Sequence, residues 1–141
     1  MLSAHLTENG ITLQWIDSAQ RDHEQRILMR TFSQAFPHAL LWKIEGLQLL
    51  LGSNAPMKPD LAVTSRTFTP EVAQALAPMK LTSPQDILAG FTLADDDLRA
   101  SLGPGLVISD DHPYNEYFRL LRIRNLWQWL ERQPLALTAS P

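Results

Sequence analysis

The apolar residues of this chain are most concentrated between residues 39 and 51, where two apolar runs flank a turn signal. The first run, residues 39–44, reads ALLWKI, and the second, residues 47–51, reads LQLLL. Glu45 and Gly46 lie between them, and glycine favours a tight reversal. Because a short and nearly continuous apolar run is typical of a strand covered on both sides, this pattern predicts a hairpin buried within a sheet.

Two further elements are predicted before the hairpin. Residues 11–16 (ITLQWI) alternate apolar and polar side chains, which predicts a strand. A helix is predicted over residues 18–35, with Asp17 or Ser18 as its cap and Pro37 at its end. Its polar first half should project into solvent or toward a cleft. A helical crossover makes the first two strands parallel, and the third strand runs antiparallel to its hairpin partner.

The rest of the chain predicts a loop over residues 54–66 and then short helices. Three of these begin at residues 69–71, 83–86 and 95–97, where cap residues, prolines or acidic residues mark helix starts. We expect them to form a cap over one end of the sheet. We expect the three consecutive aspartates at 95–97 to be explained by the helix dipole alone. A last helix should extend to about residue 132, followed by a disordered tail over residues 134–141.

Composition narrows the possible functions. The chain has 141 residues, enough for one modest domain, and its net charge of −3 gives no electrostatic case for nucleic-acid binding. It contains no cysteine, which excludes disulfides, thiolate metal sites and a cysteine nucleophile. No apolar run approaches the ~20 residues that span a bilayer, and the N-terminus lacks the pattern of a signal peptide. We therefore expect a cytoplasmic location and no membrane segment in this chain.

Four segments, in order along the chain, resemble one protein family. They are residues 6–16 (LTENGITLQWI), 31–42 (TFSQAFPHALLW), 49–53 (LLLGS) and 108–117 (ISDDHPYNEY). They are similar to segments of the spermidine synthase-like proteins, the polyamine aminopropyltransferases. The resemblance is closest to the bacterial subgroup in which this domain is often fused to membrane-spanning helices, so the parent protein could be tethered to a membrane.

The resemblance implies an α/β fold, namely the C-terminal portion of a class I methyltransferase-like (Rossmann-type) sheet. Residues 11–16, 39–44 and 47–52 would be the fifth, sixth and seventh strands of that sheet, with the seventh inserted between the other two. The chain would then form one partial domain over residues 1–133. It would contain three strands, a parallel pair with an antiparallel strand inserted, together with helices.

The resemblance also implies which parts of the family's active site this chain lacks. These enzymes bind decarboxylated S-adenosylmethionine, or S-adenosylmethionine in methyltransferase relatives, through a glycine-rich turn after their first strand. The aspartate that accepts the proton follows their fourth strand. Both features would precede residue 1, and the sequence contains no G-x-G-x-x-G motif. We therefore expect neither a cofactor site nor a catalytic residue in this chain, and its status as an enzyme stays open.

Three residues match substrate-pocket positions of the family, namely Gln14, Asp110 and Asp111. Carboxylates suit polyamines because they pair with ammonium groups at short range. The alternatives are a solvent-facing glutamine on a strand and a pair of aspartates that cap the following helix. A metal site at residues 110–112 is disfavoured because consecutive residues rarely converge on one ion. The basic band of Arg119, Arg122 and Arg124 is interpreted as a solvated helix face.

Two functional hypotheses follow. In the first, the chain is the C-terminal half of a spermidine synthase-like transferase that is inactive alone and meets a polyamine substrate only in a full-length context. In the second, it is a non-enzymatic interaction module. An unpaired edge of strand 11–16 would then pair with a separately encoded N-terminal half, or with a second copy in a homodimer.

Overall fold

The structure is a computed structural model that describes residues 2–44 and 46–124. The strands in this part are β1 (Ile11–Ile16), β2 (His38–Ile44), β3 (Leu47–Ser53) and β4 (Phe91–Ala94). The helices are α1 (Asp22–Ala35), α2 (Leu61–Thr67), α3 (Pro70–Leu76), α4 (Pro84–Ala89), α5 (Asp95–Leu102) and α6 (Tyr114–Arg124). Two 3₁₀ helices, Leu2–His5 and Ala77–Met79, complete the described elements.

The four strands form one sheet in the order β1-β3-β2-β4, and every neighbouring pair is antiparallel. The hairpin of β2 and β3 is therefore confirmed. As expected, β3 lies between β1 and β2, which run in the same direction without touching. The predicted arrangement of three strands is nevertheless wrong, because β4 pairs with β2 and makes a fourth. The chain is α/β, with a four-stranded antiparallel sheet.

One face of the sheet carries the main hydrophobic core. Helices α1 and α5 pack on this face, and both contribute large side chains to the core. The packing is tight at Gly52, where an added Cβ would lie 2.6 Å from the ring of Phe36. No side chain larger than hydrogen fits there without displacing the Phe36 and Phe32 rings. The core consists of Ile16, Met29, Phe32, Phe36, Ala39, Leu41, Leu50, Leu98 and Leu102.

The opposite face of the sheet is covered less completely. Helix α4 contacts this face, and the Trp42 indole N–H donates to the Ile87 carbonyl over 2.6 Å. Along β3, Gln48 and Leu50 are buried, whereas the alternate residues Leu47, Leu49 and Leu51 are only half-buried. The prediction that residues 47–51 are covered on both sides is thus wrong for one side. Composition shows that the strand is apolar. How much of each face is buried depends on the helices that pack on it.

Helix α1 begins later than expected. The Asp17 carboxylate accepts from the backbone N–H of Ala19 over 2.9 Å and so closes a local turn instead of capping the helix. The helix starts at Asp22, and the Glu24 carboxylate accepts from the Arg21 N–H over 2.9 Å. A carboxylate at this position satisfies an N–H group that has no partner within the helix.

The short helices agree with the prediction in part. Helices α3 and α4 begin as expected, with Thr69 and Ser83 as caps. Helix α2 lies within the predicted loop, and its start is stabilised by the Asp60 carboxylate, which accepts from the Val63 N–H. Helix α5 does not join a cap over one end of the sheet, because Leu98 and Leu102 belong to the main core. The rest of the predicted last helix and the tail over residues 134–141 lie outside the described residues.

Hydrogen bonds from arginine side chains connect α1 and α5 at their ends. The Arg30 guanidinium donates to the carbonyls of Leu102 and Gly103 over 3.1 and 2.9 Å. In return, Arg99 donates to the Pro37 carbonyl just beyond α1 over 2.8 Å. These bonds satisfy carbonyl groups that have no partner at helix C-termini and place positive charge at the negative ends of the dipoles.

Candidate functional site

The most exposed apolar side chains of the sheet form a row along β1. Ile11, Leu13 and Trp15 are 58%, 57% and 57% exposed. Alternate residues of a strand share a face, so the three side chains point the same way. They lie on the sheet face opposite the main core. We call these three residues the β1 row.

A neighbouring strand flanks the row on one side only, because β1 lies at the edge of the sheet that the described residues form. Within the described residues, β1 pairs with β3 alone, from Ile11 opposite Ser53 to Ile16 opposite Gln48. Its other edge therefore presents backbone N–H and C=O groups without a strand partner in this part of the chain. Natural edge strands usually carry charges, proline or a bulge that prevent pairing with another chain. Residues 11–16 carry no charge and no proline, and their pairing with β3 has no irregularity.

Two apolar cavities adjoin the β1 row on the same face. One has a volume of ≈ 280 Å³ and lies between the sheet, with Leu13 and Leu49, and the chain from α3 to α4. The other, of ≈ 250 Å³, is lined by Ile11 and by the loop that contains Lys58. Both share Leu51 and Phe91, so they are neighbours along one shallow apolar surface. Such a continuous apolar surface is typical of an interaction site.

The three predicted substrate residues are all exposed, and no contact brings them together. Gln14 lies on β1, on the same face as the core residue Leu50 that pairs with it. Asp110 and Asp111 lie in a turn closed by backbone bonds between Ser109 and His112. Within residues 2–44 and 46–124, no hydrogen bond or ion pair joins the glutamine to either aspartate. Their role in binding a substrate stays a prediction.

A buried ion pair, which the sequence did not predict, joins α1 to α6. Glu24 is fully buried, and the Arg122 guanidinium donates two hydrogen bonds to its carboxylate. The distance from Arg122 Nε to Glu24 Oε1 is 2.7 Å. Arg122 therefore does not belong to a solvated basic face, and the polar first half of α1 does not simply project into solvent. No local sequence pattern predicts this pair, because its two residues are distant in the sequence.

The environment of Glu24 keeps it ionised. Burial by itself raises the pKa of this carboxyl, but the hydrogen bonds from Arg122 and from the Arg21 N–H outweigh it. The pKa of Glu24 therefore lies below its ordinary value. A buried acid that is charged and fully bonded is suited to holding helices in place, whereas a general acid needs a proton to give.

A second polar cluster lies where β2 begins. The Asp95 carboxylate accepts from the Ala39 N–H over 2.9 Å and contacts Nδ1 of His38 at 3.2 Å. Burial raises the pKa of Asp95, but these bonds lower it below its ordinary value. The three acidic residues at the start of α5 are thus not explained by the helix dipole alone.

A serine lies opposite His38 in the sheet, which raises the question of a catalytic triad. Ser53 pairs with His38 on the neighbouring strand. Its hydroxyl, however, donates to the Gly10 carbonyl over 2.9 Å and accepts from the Ala55 N–H over 3.2 Å. Because these two bonds engage the Ser53 hydroxyl, Ser53 and His38 are not arranged as a nucleophile and its base. Among the described residues, no group of three or more histidine and acidic side chains is placed to hold a metal ion.

Comparisons of the chain with protein families, with curated proteins and with solved structures found no match. The resemblance to spermidine synthase-like proteins therefore stays a prediction. In the described part of the chain, no helix combines the length and the apolar character that crossing a bilayer requires.

Proposed function

We propose that this chain functions as an interaction module that binds another polypeptide strand at the free edge of β1. The observation that carries the proposal is the β1 row, three large apolar side chains exposed on an uncharged edge strand. A strand added to a sheet edge gains main-chain hydrogen bonds, and its alternate side chains provide specificity. Cross-strand contacts between the row and side chains of the added strand remove part of this apolar surface from water, which favours association by about 25 cal/mol per Å² removed.

The proposal is tested by photo-crosslinking from the β1 row. Benzoylphenylalanine is incorporated in place of Leu13, and in a matched variant in place of Val63, which is also exposed but lies on α2. The full chain is irradiated in the cells that produce it, and adducts are mapped by mass spectrometry. The proposal expects position 13, and not position 63, to crosslink to one defined polypeptide segment. Equal or absent crosslinking at the two positions contradicts it.

A second proposal is that the chain forms part of a spermidine synthase-like transferase. One feature of the sheet favours it. The order β1-β3-β2, with β3 antiparallel to both neighbours, agrees with the strand order that the resemblance implies. In this proposal the free edge of β1 receives the remaining, Rossmann-type strands from an N-terminal half, and that half supplies the nucleoside site and the catalytic aspartate. Gln14, Asp110 and Asp111 would contribute to a polyamine pocket only in the assembled protein.

Calorimetry tests this second proposal. Decarboxylated S-adenosylmethionine and S-adenosylmethionine are titrated into this chain alone, and neither should bind. Tight binding of either compound would show that the chain carries its own nucleoside site and would contradict the assignment of roles between two halves. Spermidine binding to the isolated chain, if it depended on Asp110 and Asp111, would contradict the need for assembly.

A further inference from the structure

We propose that the strand that binds β1 is β1 of a second copy of this chain, antiparallel and centred on Leu13. This inference rests on the proposed function and names its partner. It follows from the way the side chains of residues 10–16 match when the strand is paired with itself.

Symmetry restricts how two copies of β1 can pair. An antiparallel pair of identical strands is related by a two-fold axis perpendicular to the sheet, and this operation keeps each side chain on its own face. Residues directly opposite each other share a face, so one residue of β1 must lie opposite its own copy, with the axis midway between the two. The central residues of the strand, Leu13 and Gln14, give the two registers that pair most of it.

The register centred on Leu13 places the apolar side chains of the β1 row opposite one another and the polar side chains opposite one another. It places Ile11 opposite Trp15 of the second copy, and Leu13 opposite Leu13, so that the β1 rows of both copies form one apolar surface. On the other face it places Thr12 opposite Gln14, two side chains that can hydrogen-bond to each other. Pairs of aromatic and β-branched residues and pairs of polar residues are both favourable across antiparallel strands.

The register centred on Gln14 is less favourable. It places Ile11 opposite Asp17, which sets an apolar side chain against a charged one, and Thr12 opposite Ile16. Ile16 is already fully buried in the core and gains nothing from a new neighbour. The register centred on Leu13 is thus the one that uses all three exposed side chains of the β1 row.

Charge also favours a second copy over a charged partner strand. Residues 10–16 carry no charge, so two copies of this edge meet without repulsion. A strand with a charge next to the β1 row would bring that charge against apolar side chains, which costs desolvation free energy. The isologous pair extends the four strands of each copy into one continuous sheet of both copies.

Single cysteines test the register directly, because the natural chain contains none. Three variants of the full chain are compared under mild oxidation, namely Leu13→Cys, Gln14→Cys and the control Val63→Cys. Opposed residues of an antiparallel pair have Cα atoms about 4.5 to 5.5 Å apart, within the range that a disulfide bridges. We expect Leu13→Cys to form a covalent dimer at least about tenfold faster than the other two. Preferential crosslinking of Gln14→Cys, or equal rates for all three, overturns the proposal.

A charge swap provides a second test that does not depend on oxidation. The double variants Ile11→Lys with Trp15→Glu and Ile11→Lys with Trp15→Lys change the same two exposed positions. In the proposed register, position 11 faces position 15 of the second copy. The first variant therefore brings opposite charges together twice, and the second brings like charges together twice. Sedimentation velocity should show a dimer dissociation constant at least about tenfold higher for the double lysine variant.

Equal dissociation constants for the two double variants, both with native thermal unfolding, overturn the register. The outcomes also separate this inference from the proposed function. If the natural chain sediments as a monomer at all concentrations while photo-crosslinking from position 13 captures a different polypeptide, the inference fails and the proposed function stands. If the natural chain is a monomer at all concentrations and position 13 crosslinks to no polypeptide, both fail.

Discussion

The two faces of the sheet differ in how completely they are covered, although both are rich in apolar side chains. On the face under α1 and α5, core residues such as Ile16 and Leu50 are fully buried. On the other face, Leu49 and Leu51 of the same strand are half-buried beside two cavities, and the β1 row is exposed. The first face is therefore closed by helices, and the second leaves apolar side chains exposed.

In β1, the more apolar side of an alternating strand faces away from the core, contrary to the usual arrangement. In β1, the row that contains Thr12 and Gln14 shares a face with the core, while the β1 row is turned away from it. An alternating pattern normally places its apolar side inward. An exposed apolar row on the outward side is the arrangement expected when a second polypeptide completes the burial.

The largest expected effect contrasts neighbouring leucines of β3. Leu50→Ala should lower the free energy of unfolding by about 2–5 kcal/mol, because it leaves a cavity in a closely packed core. Leu49→Ala should cost only about 1 kcal/mol, since its side chain is half-buried. Urea unfolding of both variants at low protein concentration measures the difference. Equal costs would contradict the assignment of stability to one face.

A smaller effect is expected at Gly52, on the covered face. Gly52→Ala should lower the free energy of unfolding by about 1–3 kcal/mol, because its Cβ would overlap the Phe36 ring. The control is Gly46→Ala, where a Cβ meets nothing within 4 Å and only the φ of +76° opposes it, at about 1 kcal/mol. Thermal unfolding compares the two. A harmless Gly52→Ala would mean that α1 can move away from the sheet easily.

The ion pair of Glu24 and Arg122 should make stability depend on pH. The folded-state pKa of Glu24 is depressed, so its contribution is complete above the unfolded pKa of about 4.3 and is lost as pH falls through the folded pKa. Glu24→Gln should therefore destabilise the chain at pH 7, and the difference from the natural chain should shrink toward pH 2. Urea midpoints across this range test it. A difference that does not vary with pH would exclude ionised Glu24 as the cause.

The smallest expected effect is in the β1 row. Leu13→Lys should change the free energy of unfolding of the dilute monomer by no more than about 0.5 kcal/mol, because the side chain is largely exposed. The same change should abolish strand pairing at higher concentration, since it opposes two lysines at the two-fold axis. A loss well above about 1 kcal/mol in dilute solution would show that the β1 row already supports the fold.

The sequence predicted those parts of the fold that depend on neighbouring residues. The hairpin is encoded by two apolar runs around Gly46, and the caps Thr69 and Ser83 mark their helices by local chemistry. Strand β4 was missed because four residues, Phe91–Ala94, are too few to establish a period. Helix α2 was missed because residues 54–66 contain Pro56 and Pro59 and show no periodicity, although Asp60 caps the helix in the structure.

The candidate site was less predictable, because it depends on contacts between distant segments. The alternation of residues 11–16 predicted a strand, and the resemblance implied an unpaired edge. Neither could tell which side of that strand the helices cover. The sequence predicted Arg122 to be one of three solvated arginines, because its partner, Glu24, lies 98 residues away on α1. The substrate roles of Gln14 and the two aspartates depend on the resemblance, which the geometry leaves untested.

The central position of β3 has a consequence for the order in which the sheet can form. Its pairing with β2 begins at Ile44 and Leu47, next to the turn, so this hairpin closes with little loss of chain entropy. Its pairing with β1 joins Ile11 to Ser53 and must close a much longer loop. We therefore expect β1 to dock late in folding. Until it does, the edge of β3 is open, and β1 of a neighbouring molecule could occupy it in a domain-swapped dimer.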